Sequence, residues 1–248
     1  LTMFLARYPI GEIRVIDHGS VDEENVGYQF YPVNMLGVSK AEAMSNMVKT
    51  YFPWANVKGI RGEVPDIGWF IVLREMGVKY DIEGRLNKLL DLMKDTDLII
   101  VSTDTLGSRV FVWLTAMHLN KPFIDAGFRE NYGHVYVWLP GYSCLLDSML
   151  IHQNEFVRSE PGYPVEPFTA DLIALIASKV AVEIINGRIS ESMMIFINAK
   201  YNNLPNEFSN TIQIYPWQKG TCVHYETAQK SVIDAISTLI GVEIHDHR

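Results

Sequence analysis

Apolar residues recur along the chain in two rhythms. Short continuous runs bounded by polar or turn residues predict buried strands, and spacings of three and four predict one face of a helix. Ile13-Arg14-Val15-Ile16 is such a run and ends on an acid, Asp17. Leu98–Ser102, Phe123–Ala126 and Val135–Leu139 repeat the form. Val57–Val64 is a weaker strand, because glycines interrupt it. Helical spacing covers Ser39–Tyr51, where Ala41, Ala43, Met44, Met47 and Val48 share a face and Ser39 stands at the cap position. It continues through Ile67–Met76 and Ile82–Lys94, the latter with Leu86, Leu89, Leu90 and Met93 on one side. Ser108–Leu119 follows, then Asp171–Ile185 with Thr169 as its cap. Glu226–Leu239 turns Ala228, Val232, Ala235, Ile236 and Leu239 inward. Met193–Ile197 and Thr211–Tyr215 suit a small antiparallel pair. Leu1–Tyr8 reads as the tail of a helix stopped by Pro9 and Gly11.

Strands alternating with helices predict an α/β fold with a mixed, mostly parallel sheet flanked by helices. Residues 1–188 form the main domain of this reading. Residues 189–248 are a small extension, a strand pair and a helix, packed on the same domain. The consecutive helices of Ile67–Lys94 read as an insertion. Gly141–Pro167, rich in glycine, proline and polar residues, is a long crossover loop of the kind that tends to carry function. In a dinucleotide-binding arrangement the opening helix follows a strand and a glycine-rich loop. Neither precedes it here, so both are expected upstream of Leu1.

Composition narrows the function. The net charge of −8 argues against a general nucleic-acid surface. No apolar run reaches the ~20 residues of a membrane span, and the first residues lack the marks of a signal peptide. Two cysteines, Cys144 and Cys222, make no disulfide framework, which suits a reducing cytoplasm. The chemistry then falls on a few polar residues. Asp17, at the carboxyl end of a strand, is placed to hold ribose hydroxyls. Lys40, opening a helix, can meet phosphates as a point charge. A cation at a helix N-terminus is otherwise mildly unfavourable. Asp104 ends a second strand and can bind a hard cation through oxygen. Asn25 and Gln29 are uncharged polar groups in the loop between Asp17 and Lys40.

The block Ile13–Lys40 resembles the ThiF/MoeB and ubiquitin-activating enzyme superfamily. That family carries D-x-D-x-V-x-x-x-N-x-x-R-Q followed by G-x-x-K, matched here at Asp17, Val21, Asn25, Gln29, Gly37 and Lys40. Asp97–Thr105 resembles its second signature, a strand ending in T-D-N, with Arg109 at the arginine position. Lys121–Gly127, Gly133–Val137 and the helix closing on Asn186-Gly187 follow in the family's order. The resemblance implies a Rossmann-like fold and ATP-dependent adenylation of a carboxylate. In the family that carboxylate is often the C-terminus of a ubiquitin-like or sulfur-carrier protein. It implies ATP and magnesium as cofactors, with Asp104 on magnesium, Asp104 and Lys40 catalytic, and Asp17, Asn25, Gln29 and Lys40 around the nucleotide. It also implies a dimer, a homodimer before a heterodimer.

The departures carry information as well. The family's second acid is Gly19 here, and its phosphate-facing arginine is Tyr28. Loss of a charge-assisted phosphate contact costs ~1.5–3 kcal/mol, about one to two decades of affinity. A partner subunit's arginine could restore it. Trp113, Trp138 and Trp217 are candidates for a dimer interface, although core packing is the commoner use of tryptophan. Many family members hold zinc with two C-x-x-C pairs. Cys144 and Cys222 each lack that partner and His224 stands at another spacing, so no zinc site is expected. The apolar surroundings of Cys144 favour a buried neutral thiol over a nucleophile. His245-Asp246-His247 reads as a frayed tail. These departures also suit a catalytically degenerate scaffold or partner subunit. An NAD-type oxidoreductase rests on fold alone and offers no hydride-transfer residue.

Overall fold

In the computed structural model, residues 1–129, 132–147, 156, 167–198, 211–241 and 244 are described. Most of the Gly141–Pro167 loop, the tail His245–His247 and the Tyr28 side chain lie outside the described residues.

A short helix α1 (Thr2–Leu5) leads into β1 (Ile13–Asp17), which pairs in parallel with β2 (Val57–Arg61). Parallel neighbours need a crossover. It runs through α2 (Glu23–Tyr28) and α3 (Lys40–Tyr51), and α3 buries Ala41, Ala43, Met47 and Val48. A Cβ added to Gly59 of β2 would stand 2.2 Å from the Ala41 carbonyl oxygen. The glycines that weaken this strand by propensity are therefore what lets it lie against the start of α3.

The second sheet is five-stranded, in the order β3 (Ile99–Val101), β4 (Phe123–Arg129), β5 (Tyr132–Trp138), β6 (Met193–Asn198), β7 (Thr211–Pro216). The β3–β4 pair is parallel and the rest is an antiparallel meander. Helices cover both faces, as the α/β class requires. Alternate residues of β4 and β5 point opposite ways. Phe123, Tyr136 and Trp138 enter a core with α4 (Ile67–Glu75), α5 (Ile82–Met93) and α6 (Leu106–His118). Ile124, Val135 and Val137 pack on α7 (Pro167–Ile185) through Ile173, Ala177 and Ala181. Among the described residues β1 pairs only with β2 and β3 only with β4, while Ile13 shares an apolar cluster with Leu98 and Ile100. No helix among the described residues is long and apolar enough to cross a membrane.

Several elements differ from the pattern reading. The segment between Asp17 and Lys40 is not all loop, because Asp22 and Asn25 close a capping box that starts α2. Thr169 does not cap α7, which begins earlier and buries it. The strands β6 and β7 form the expected antiparallel pair within a larger sheet, since β6 continues the ladder from β5. The last helix is two helices, α8 (Val223–Lys230) and α9 (Val232–Ile240). They break at Ser231, which is extended and accepts the Asp234 N–H at 3.1 Å. Trp113 and Trp138 are core residues rather than interface ones, at 2% and 0% exposure.

Candidate functional site

Lys40 is the first residue of α3, and its backbone N–H donates to the Gly19 carbonyl at 2.9 Å. Gly19 in turn donates its N–H to Asp17 Oδ1 at 2.7 Å. This tight turn brings the strand-end acid and the helix-start lysine to the same place. A Cβ on Gly19 would lie 3.1 Å from Asp17 Oδ1 and 3.5 Å from Lys40 Cδ. A side chain at position 19 would be tight against Asp17 Oδ1 and in ordinary contact with the Lys40 stem.

Tyr31, which pattern reading did not single out, completes the corner. It is buried, and its hydroxyl donates to the Lys40 carbonyl at 3.2 Å. Burial first, and the nearby Asp17 charge second, push its phenol up to about 12. Ser39 occupies the N-cap position of α3 but forms no capping bond. Its hydroxyl is buried without a partner among the described residues. An orphaned hydroxyl, an acid with one oxygen engaged by Gly19 and a helix-start lysine together fit a nucleotide's ribose and phosphates.

The other expected residues are placed differently. Asn25 is buried and serves the capping box, its Oδ1 accepting the Asp22 N–H at 3.1 Å. Gln29 is exposed and ends α2, its N–H donating to Asn25. Asp104 is exposed in the turn between β3 and α6. It does not cap α6. Thr105 does, accepting the Ser108 N–H at 3.2 Å and donating to Asp66 Oδ2. Asp66 also caps α4 through the Trp69 N–H at 2.9 Å. One buried carboxylate thus ties two helix starts and holds the Asp104 turn. The Asp104 side chain remains uncommitted among the described residues, which fits oxygen ligation of magnesium.

Arg109 points inward and pairs with Asp125. The Asp125 side chain is fully buried, and it also accepts from Trp113 Nε1 at 2.8 Å and lies 3.1 Å from His134 Nε2.

Cys144 and Cys222 meet each other. Their sulfurs are 3.0 Å apart, and His224 Nδ1 lies 3.0 Å from Asp147 Oδ1. One donor atom from each of the four residues lies within 4.8 Å of the others. Cys222 Sγ accepts the N–H groups of Cys144 and Tyr225, each at 3.4 Å. Contact with Cys144, then His224, holds the Cys222 thiol well below the usual range. Its partner Cys144 is pushed up by the same contact and by burial. The Cys222 contact and then Asp147 raise His224, and burial raises Asp147. Only folding makes this cluster visible, because 78 residues separate the two cysteines.

Helices on both faces of the five-stranded sheet define the doubly covered α/β class, with one acid at the end of β1 and another beyond the end of β3. A model of the ThiF family matches residues 1–218, and the chain belongs to that family. It is 25% identical over 212 residues to a probable molybdopterin-synthase adenylyltransferase of Porphyra purpurea, covering 83% of this chain and 49% of that protein. Among solved structures, E. coli MccB with ATP superposes with a TM-score of 0.65 at 17% identity, over 88% of this chain and 60% of MccB. The microcin C7 biosynthetic enzyme MccB with N-formylated MccA gives 0.66 at 17% identity, over 88% and 61%. The chain therefore spans about half the length of its curated relative and about three fifths of these solved ones.

Proposed function

We propose that this chain belongs to an adenylyltransferase that activates a carboxylate with ATP. The observation that carries the reading is the corner where Asp17, Gly19 and Lys40 meet beneath the orphaned Ser39 hydroxyl. The names of the relatives support it: one is a probable molybdopterin-synthase adenylyltransferase, and the others are MccB with ATP and with N-formylated MccA. The acyl substrate in this reading is the C-terminus of a ubiquitin-like or sulfur-carrier protein.

In the reaction a carboxylate oxygen bonds to the α-phosphorus of ATP. The bond from that phosphorus to the bridging oxygen breaks, and pyrophosphate leaves with the electron pair. The chain's part is positioning and charge neutralisation. Asp17 takes the ribose hydroxyls and Lys40 lies against the phosphates. Gln29, exposed at the end of α2, is the further polar group of this reading, while Asn25 shapes the loop through its capping box. Asp104 would hold magnesium, which would supply positive charge against the triphosphate.

ATP–pyrophosphate exchange on the full-length protein, with purified carrier proteins offered in turn, tests this. Exchange that depends on one carrier is the expected result. Calorimetry should show ATP binding at least tenfold weaker in Asp17→Ala and Lys40→Ala. The second reading is a silent partner subunit, favoured by Gly19 where the family has an acid. It predicts no exchange with any carrier. A homodimer is the assembly that would let a partner supply the missing arginine, and light scattering across a dilution series measures it.

A further inference from the structure

We propose that Cys144 and Cys222 are a reversible redox couple, in which a peroxide oxidises Cys222 and the Cys144 thiol resolves the product into a disulfide. The chain has these two cysteines alone, and the fold brings their sulfurs from 78 residues apart to 3.0 Å in its interior.

The backbone holds the two sulfurs together. Just before Cys144, Tyr142 bridges to Lys219 in antiparallel fashion. The Ser143 N–H donates to the Gln218 carbonyl and the Gly220 N–H to the Gly141 carbonyl, each at 3.1 Å. Both cysteines follow directly on this paired stretch. Cys144 immediately precedes the single turn Leu145–Asp147, and Cys222 is the N-cap of α8. Asp147 and His224, 3.0 Å apart, join the same two segments on the far side. A disulfide sets its sulfurs about 2 Å apart. The pair therefore needs to close by about an ångström, with both segments already in place.

The surroundings assign the two roles. Cys222 Sγ accepts the N–H groups of Cys144 and Tyr225, each at 3.4 Å, and His224 stands in the first turn of the same helix. Amide donors at a helix start and a neighbouring imidazole favour the thiolate, the form that attacks a peroxide. Cys222 keeps 6% exposure and Cys144 none, so a small peroxide reaches Cys222 first. The Cys222 contact and burial hold the Cys144 thiol up, so it keeps its proton until the second step.

In the first step the Cys222 thiolate attacks one peroxide oxygen. An S–O bond forms, the O–O bond breaks, and the leaving hydroxide takes a proton to become water. In the second step the Cys144 sulfur attacks the Cys222 sulfenic acid. An S–S bond forms, the S–O bond breaks, and hydroxide leaves with the Cys144 proton as a second water. Two thiols are oxidised by two electrons, and hydrogen peroxide is reduced to two waters. A dithiol reverses the change by exchange and is itself oxidised to its disulfide. The cross-link fastens the segment after β5 to α8. That helix lies on the C-terminal end of α6, where His118 Nδ1 is 2.8 Å from the Ala228 carbonyl and the Tyr225 hydroxyl donates to Asn120 Oδ1 at 2.9 Å. The Asp104 turn is at the other end of α6, so the couple acts on the docking of the C-terminal helices and does not depend on the adenylation reading.

The test uses full-length protein purified with a dithiol, freed of it, and treated with hydrogen peroxide. Peptide mapping should show Cys144 joined to Cys222 within one molecule, and a dithiol should restore both thiols. Cys144→Ser should stop at the Cys222 sulfenic acid, which dimedone traps. Cys222→Ser should leave Cys144 unreacted. His224→Ala should slow the oxidation at least about tenfold. Oxidation should raise the melting temperature of the wild-type chain by about 5–15 °C and leave that of Cys144→Ser unchanged. Two alkylatable thiols remaining after peroxide treatment would overturn the proposal. So would a sulfinic acid on Cys222 beside a free Cys144, or Cys144 oxidised in Cys222→Ser as fast as in the wild type. Should a variant fail to fold, the wild-type peptide map decides alone.

Discussion

The Tyr31 hydroxyl donates to the backbone carbonyl of Lys40 at 3.2 Å, and the Asp17 charge acts on the same phenol. One buried tyrosine therefore reports on both sides of the Asp17–Lys40 corner. Burial and then Asp17 raise its pKa to about 12. Removing the carboxylate charge in Asp17→Asn should lower that value, because the anionic phenolate then faces one negative charge fewer. Ultraviolet titration of the Tyr31 phenolate, assigned by difference with Tyr31→Phe, measures it. An unchanged titration would separate the two residues. Tyr31→Phe should itself cost about 0.5–1.5 kcal/mol of stability through the lost hydrogen bond.

Gly59 decides whether β2 and α3 can touch. With a Cβ only 2.2 Å from the Ala41 carbonyl, the conflict in Gly59→Ala is with backbone, which cannot rotate away. Overpacking of this kind costs about 1–3 kcal/mol, here at the upper end or beyond. The displaced element carries Lys40, so ATP binding should weaken together with stability. Urea denaturation and calorimetry on one preparation test both, and a variant as stable as the wild type would contradict the contact.

The pattern of the sequence carried the local parts of this architecture. Strand β1 with its terminal Asp17, helix α3 opening at Lys40, and the helices α4 and α5 all follow from spacing within a dozen residues. The Asp22–Asn25 capping box is present in the sequence as D-x-x-N, and Asn25 spends its Oδ1 on the Asp22 backbone, a use that loop polarity alone does not distinguish from a nucleotide contact. The break at Ser231 escaped because apolar spacing continues through it, while a serine hydroxyl restarts the helix. Other relationships have no local signal. Asp66 meets Thr105 from 39 residues away, and Cys144 meets Cys222 from 78. Such pairs are set by how β3–α6 and β5–α8 stack, and periodicity is silent on that.

Asp125 is a carboxylate shut away from the protein surface. Arg109, Trp113 and His134 engage it, and its side chain is 0% exposed. Asp125→Ala leaves the Arg109 guanidinium, itself largely buried, without its counter-charge. Breaking such a pair costs about 3–5 kcal/mol. Asp125→Asn, which can still accept from Trp113, should cost less. Urea melts with an unchanged slope would give both values. A loss below about 1 kcal/mol in Asp125→Ala would show that the cluster is not a fastening of β4 to α6.

Acid should loosen the β1–β2 pair. Glu12, just before β1, pairs with Lys58 of β2 and with Arg14, and the Lys58 and then Arg14 bonds lower its pKa from 4.5. A carboxylate with a lowered folded pKa contributes stability above its unfolded value, and loses it as pH falls through the folded one. In Glu12→Gln that contribution is absent at every pH. The stability difference between wild type and variant should therefore shrink as pH falls below about 4.5. A difference that stays constant down to pH 2 would show that the ion pairs contribute nothing.

Asp104 and Thr105 are neighbours with opposite expected phenotypes. Thr105 caps α6 and donates to the buried Asp66, so its hydroxyl is structural. Thr105→Ala removes a cap and leaves Asp66 short of a donor, at a cost of about 1–3 kcal/mol. Asp104 is exposed and takes no part in the cap, so Asp104→Ala should stay within about 0.5 kcal/mol of the wild type. If its carboxylate holds magnesium on the phosphates, the same substitution should abolish carrier-dependent pyrophosphate exchange. Raising magnesium should rescue Asp104→Asn in part, since the amide keeps one oxygen ligand. Thermal melts and exchange rates on the two single variants separate the roles. An Asp104→Ala protein of normal stability and normal exchange would remove that residue from the reaction and leave Lys40 as the only charged group at the phosphates named by this reading.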